Sequence, residues 1–198
     1  MSTPPPEERF HANTIKMTSL IRSIVQNANK AGYDEVNPYI VDIASRYIQN
    51  NYNKKDLIEG FIRQSHLPID PNHPEKGLDH TFWNKIHERN EDFFREKAFD
   101  IFKNLPADAV GAFKKLSCYI DPKTGKSIIT PSERNEIIDY FHAFVKISIK
   151  YIHAGREPRV SEKDGKTKYY YKKPDFFPGI DILEQSTKWG IQLDFVKE

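Results

Sequence analysis

Thr130 to Gly155 reads TPSERNEIIDYFHAFVKISIKYIHAG. Thr130-Pro131-Ser132-Glu133 is a capping box with proline at the first helical position, the strongest local signal for a helix start. Behind it Ile137, Ile138, Phe141, Phe144, Val145, Ser148, Ile149 and Ile152 recur at helical spacing until Gly155 stops the run. So many large side chains on one stripe require partners on several sides. The stretch therefore predicts the central helix of a mainly α, single-domain bundle of roughly six to eight helices.

Upstream, the same periodicity predicts its neighbours. Met17, Leu20, Ile21, Ile24, Val25 and Ala28 predict a helix over about Thr14–Ala31 that stops at Gly32. Asn37-Pro38 reads as cap plus first-turn proline for a second helix, with Ile40, Val41, Ala44, Tyr47 and Ile48 inward. Asn53 caps a third, striped by Leu57, Ile58, Phe61 and Ile62. Leu67–Leu78, LPIDPNHPEKGL, holds three prolines and a glycine and reads as a surface loop, with a two-lobe chain as the alternative. A long fourth helix is expected over Asp79–Asn104, and a fifth from Pro106 with Val110, Phe113 and Leu116 inward. DPKTGK at 121–126 is a turn, flanked by short strands at Ser117–Ile120 and Ser127–Ile129. The first residues, 1–12, contain three consecutive prolines and no apolar run, and read as a flexible N-terminal arm before a helical domain at 13–198.

Downstream of Gly155 the character changes. Arg156 to Lys173, REPRVSEKDGKTKYYYKK, carries seven Lys/Arg against three Asp/Glu, a local +4 in a chain whose formal net charge is +2. Positive charge is thus concentrated in this one segment, 156–173. Asp164-Gly165 is a hairpin turn signal between candidate strands Arg159–Ser161 and Thr167–Tyr171. Tyr169 and Tyr171 then face one way and Tyr170 the other. A short helix over Ile180–Lys188 and an extended, docked tail at Ile191–Phe195 complete the chain.

Composition narrows the function classes. No apolar run reaches the length of a membrane span, and the N-terminal residues lack the apolar core of a secretory signal. A cytoplasmic or nuclear, non-secreted setting is expected. Cys118 is the single cysteine, so no intramolecular disulfide forms, and a buried inert thiol is the expected reading. Ile outnumbers Leu by 22 to 8 and Lys outnumbers Arg by 21 to 9, the bias of an AT-rich genome.

No motif names a reaction. HExxH, CxxC, DxDxDG and GxSxG are absent from the sequence. His80, His87 and Glu91 fall near one helical face, but His80 and His87 lie ~10 Å apart along the axis, too far to share an ion. DPKTGKS lacks the upstream glycine of a phosphate loop, since Ile120 stands six residues before Lys126. No catalytic, metal or cofactor-binding residue is therefore assigned, and no cofactor is expected. A composite site gathering Cys118, His142 or the His87–Glu91 pair is the only enzymatic alternative.

Two binding readings remain. Arg159, Lys166, Lys168, Tyr169, Tyr170, Tyr171, Lys172 and Lys173 offer cations and aromatic rings in one hairpin. Lys146 and Lys150, with His142 and His153, add a basic stripe on the helix 131–154. The leading expectation is a non-enzymatic protein-interaction or scaffold protein that uses the hairpin and the loop at 67–78. The alternative is nucleic-acid binding, with tyrosines stacking bases and lysines holding phosphates. The aromatic face of Phe82–Phe102 suits either the chain's own core or a second copy of the chain.

Three phrases, WNKIHERNEDFFREKAFDIFKNLP (Trp83 to Pro106), YFHAFVKISIKYIH (Tyr140 to His153) and WGIQLDF (Trp189 to Phe195), together with the AT-rich bias, resemble uncharacterised, mostly helical proteins of nucleocytoplasmic large DNA viruses. The resemblance carries no catalytic residues. It implies a host-cytoplasm or virion setting and a structural, assembly or host-interaction role.

Overall fold

A computed structural model describes residues 2–51, 53–103 and 107–198. The chain is mainly α, with eight α-helices and a small three-stranded sheet among the described residues. Helix α1 spans Pro6–Lys30, α2 Pro38–Asn51, α3 Lys54–Ser65, α4 Thr81–His87, α5 Glu91–Glu96, α6 Ala107–Cys118, α7 Pro131–Gly155 and α8 Ile182–Lys188. The strands are β1 Pro158–Lys163, β2 Lys166–Tyr171 and β3 Val196–Lys197.

Helix α7 is the central element. At its start the Glu133 N–H donates to Thr130 Oγ1 and the Thr130 N–H donates to Glu133 Oε1, closing the capping box. All eight residues of its expected stripe are buried, and α1, α4 and α8 pack around it. Phe141 and Phe144 anchor an aromatic cluster: Phe144 meets Phe10 at 4.7 Å and Phe61 at 5.8 Å between ring centroids, while Phe141 meets Phe94 and Phe99 at 5.3 Å. Buried residues from both sides of the 67–78 loop belong to this one core. The loop itself folds back, with Pro68 bridged to Leu78.

Four expectations are corrected. The arm at 1–12 is helical from Pro6, and Phe10 is completely buried against Phe61 and Phe144. Pro6 sits in the first turn, where a missing N–H costs nothing, so the proline run starts a helix here. The long fourth helix is two helices and a 3-10 turn at Ala98–Ile101. It breaks where Arg89 takes φ 54°, and Asn90 then caps α5 by accepting from the Phe93 N–H at 2.9 Å. Asn90-Glu91-Asp92 is a helix-start signal in its own right, with acids facing the dipole of a new first turn. Tyr47, expected inward, is 39% exposed. The expected end of the fourth helix at Asn104 and the start of the fifth at Pro106 lie outside the described residues. Around the 121–126 turn, only an isolated Ile120–Ser127 bridge forms in place of two short strands.

Histidines tie helix ends together. A carbonyl oxygen can only accept, so each ring nitrogen facing one carries the proton. His11 Nε2 donates to Ile48 O in the last turn of α2 and His142 Nε2 to Ile86 O in the last turn of α4, while His66 Nδ1 donates to Ile62 O one turn back in α3. No helix among the described residues is long and apolar enough to cross a membrane.

Candidate functional site

The hairpin is built from its turn. Asp164 and Gly165 both take positive φ, 54° and 71°, which gives the two-residue turn whose twist suits paired strands. That turn pairs Lys163 with Lys166, and the register runs through Ser161–Lys168 and Arg159–Tyr170. Residues opposite one another in a sheet share a face, and successive residues alternate. Arg159, Ser161 and Lys163 therefore share one face with Lys166, Lys168 and Tyr170. Lys168 Nζ lies 5.9 Å from the Tyr170 ring centroid on that face. Pro158, Val160, Glu162, Thr167, Tyr169 and Tyr171 lie on the other.

The second face is the one that packs on the bundle. His153, near the end of α7, has Nε2 2.7 Å from Asp194 O and Nδ1 2.8 Å from the Tyr171 hydroxyl. Nε2 must carry the proton, so Nδ1 accepts from Tyr171. Burial pushes the His153 pKa down and favours this neutral tautomer. Phe195 fills the space between, 5.1 Å from His153, 5.1 Å from Tyr169 and 5.7 Å from Tyr171. The tail expected at Ile191–Phe195 thus docks. Beyond it Val196–Lys197 adds β3 parallel to β1, a pairing absent from the sequence reading.

The base of the hairpin is held by Arg156. Its Nε donates to Phe176 O at 2.9 Å, and its Nη2 donates to Phe177 O and Ile180 O at 2.8 Å. Arg156 is only 7% exposed, so one of the seven cations of the segment belongs to the interior. Lys173 is occupied too, with Nζ 2.6 Å from Glu157. A hydrogen bond to Glu198 holds the Tyr170 phenol above its usual pKa. On this face Lys163, Lys166 and Lys168 are exposed, Arg159 and Tyr170 are half-buried with Arg159 Nη1 donating to Pro158 O at 2.9 Å, and Lys172 is exposed one step beyond the strand.

Lys163 was not among the expected contact residues, although the two-residue turn pairs it with Lys166 on the same face. Of the tyrosines expected as contacts, Tyr171 is half-buried and bonded to His153, whereas Tyr169 touches Phe195 yet remains 63% exposed. Lys146 and Lys150 are exposed on α7, and the sheet meets that helix through Tyr171 on its other face, bonded to His153. His142 and His153 do not extend a positive stripe. Both are at least half-buried, carry backbone-directed hydrogen bonds, and have pKa values lowered by burial.

The residues of a composite catalytic site are dispersed. Cys118 is exposed, contrary to the expected burial, because it ends α6 at the mouth of a cavity of about 150 Å³. Phe94, Phe99, Phe113 and Ile137 wall that cavity, and Arg95 and Arg134 stand at its rim, paired with Asp92 and Glu91. Neither His142 nor His153 lines it. His87 packs on Trp189 at 4.9 Å, and Glu91 faces Arg134, so that pair does not converge. Among the described residues, no group of three or more His, Cys, Asp or Glu side chains is placed to hold a metal ion.

Comparison with protein-family models, curated proteins and solved structures returns no match for this chain.

Proposed function

We propose that this chain is a non-enzymatic interaction protein that docks an acidic segment of another protein on the basic face of its C-terminal sheet. One observation carries the reading. The strand register sorts the exposed strand lysines Lys163, Lys166 and Lys168 onto a single face, while on the opposite face Tyr171 bonds to His153 of α7 and Tyr169 touches Phe195. Like charges gathered on adjacent strands repel, at a cost that a partner of opposite sign relieves. The resemblance to proteins of large DNA viruses sets this docking in the cytoplasm of an infected cell or in a virion, as part of assembly or host contact.

Nucleic-acid binding is the second reading, favoured by the same cations and the single ring of Tyr170. A sequence-tolerant stacking platform uses successive aromatic side chains, and here only one of the three tyrosines lies on the charged face.

Fluorescence anisotropy with labelled polyglutamate, and with single- and double-stranded DNA and RNA across a salt series, separates the two. Polyglutamate is expected to bind at low salt. The triple substitution Lys168→Ala, Tyr170→Ala and Lys172→Ala, with helicity retained, is expected to abolish that binding. Preferential binding of nucleic acid with a steep salt slope moves the second reading to first place. No binding of any polyanion at low salt removes both.

A further inference from the structure

We infer that the open edge of β2 receives an extended acidic segment as a fourth strand, so that the partner is held by main-chain pairing as well as by charge. This rests on the proposed docking of an acidic partner and names how that partner is held. The sheet order is β2-β1-β3, which leaves β2 at an edge. In an antiparallel ladder, alternate residues direct their N–H and C=O groups to the partner strand. The two-residue turn makes Lys163–Lys166 a bonded pair, and the Lys172 N–H donating to Glu157 O at 3.2 Å keeps the same parity six residues on. Lys166, Lys168 and Tyr170 therefore bond to β1. Thr167, Tyr169 and Tyr171 direct their main-chain groups outward, and no hydrogen bond to a described residue satisfies them. Thr167 and Tyr169 are exposed and Tyr171 is half-buried.

The side chains beside this edge select what it pairs with. Lysines on an edge strand oppose pairing with another copy of the same edge. Lys166 and Lys168 meeting their own kind place like charges in contact, whereas carboxylates in the same positions are attracted. The faces differ, so the incoming strand must alternate. Its acidic side chains lie on the face of Lys166, Lys168 and Lys172. Its apolar side chains lie on the face of Thr167 and Tyr169, where Tyr169 is 63% exposed despite its contact with Phe195. The recognised chemistry is an extended acidic–apolar alternation, the strand-addition mode in which main-chain bonds supply affinity and alternate side chains supply specificity.

The test uses the full chain and a synthetic peptide of alternating glutamate and valine. Two N-methylated forms accompany it, one methylated at every glutamate amide and the other at every valine amide. The amides of one residue type face β2 and those of the other face solvent. One methylated form is therefore expected to lose about tenfold or more in affinity, since several main-chain bonds go, while the other binds like the parent. Amide exchange at Thr167 and Tyr169 is expected to slow by about tenfold or more in the complex. Binding with unchanged exchange and equal affinity of both methylated forms overturns strand addition and leaves the charged-face reading standing. Failure of the alternating peptide where polyglutamate binds does the same. Failure of both peptides at low salt overturns the two together. Protection of the edge by self-association, seen as a concentration-dependent dimer in sedimentation, overturns the choice of occupant.

Discussion

Phe10 lies where the sequence suggests a loose arm and the fold places a core residue, so replacing it tests the architecture at its most consequential point. The ring is 0% exposed, with centroids 5.3 Å from Phe61 and 4.7 Å from Phe144. Phe10→Ala removes the apolar area of the ring and leaves a cavity between α1, α3 and α7, a change that costs about 3–5 kcal/mol in well-packed cores. Each lost aromatic pair accounts for roughly 0.5–1.5 kcal/mol within that total. For a chain of this size the melting temperature falls by roughly 2–4 °C per kcal/mol, so a drop of about 6–20 °C is expected. Phe10→Leu retains most of the volume and is expected to cost less than about 1.5 kcal/mol. Urea unfolding followed by far-UV circular dichroism measures both, with an unchanged m value as the sign that the denatured state is unaltered. A loss below about 1 kcal/mol for Phe10→Ala would refute the docking of residues 6–12, because an undocked ring has nothing to lose.

Thr130→Ala removes the acceptor of the Glu133 N–H and opens the capping box of α7, and is expected to lower stability by about 1 kcal/mol in the same urea assay. A built Cβ at Gly155 falls 2.3–2.8 Å from the Phe176 ring. Gly155→Ala should therefore cost about 1–3 kcal/mol, and a double-mutant cycle with Phe176→Ala should recover most of it. Burial holds the His66 pKa at about 4, below its ordinary 6.5. The unfolded chain takes up that proton first as pH falls, so the associated stability is whole above pH 6.5 and is lost by about pH 4. The difference amounts to about 3 kcal/mol. His66→Gln is expected to flatten the fall in urea midpoint between pH 7 and 4.5. An unchanged slope in the variant would show that His66 does not titrate with folding.

Much of this molecule was legible in its local patterns because the signals are short-range. The capping box at Thr130, the Asn53 cap, whose Oδ1 accepts from the Lys55 N–H, and the positive φ at Gly32 are each decided within a few residues. The α7 stripe follows from periodicity alone, and so does the split of Tyr169 and Tyr171 from Tyr170. The misreadings have equally specific causes. Arg89 and Asn90 end one helix and begin another within a continuous apolar stripe, so periodicity reported one long helix. Pro6 and Phe10 read locally as part of the proline-rich arm, because nothing nearby announces that an isolated Phe10 meets Phe61 and Phe144.

By itself the sequence determined the fold class, the central helix, the hairpin and the concentration of positive charge in 156–173. Those properties depend on backbone periodicity, caps and turn geometry, which act between near neighbours. Only the tertiary structure decided which of those charges are available. Arg156 is drawn inward by three carbonyls of the 176–180 segment and Lys173 is paired with Glu157. Tyr171 is taken by His153, and Tyr169 packs against Phe195. The same long-range packing leaves the edge of β2 open, because β3 adds to β1 on the other side. A side chain's partner forty residues away is set by how the elements close on one core, and no local pattern records that.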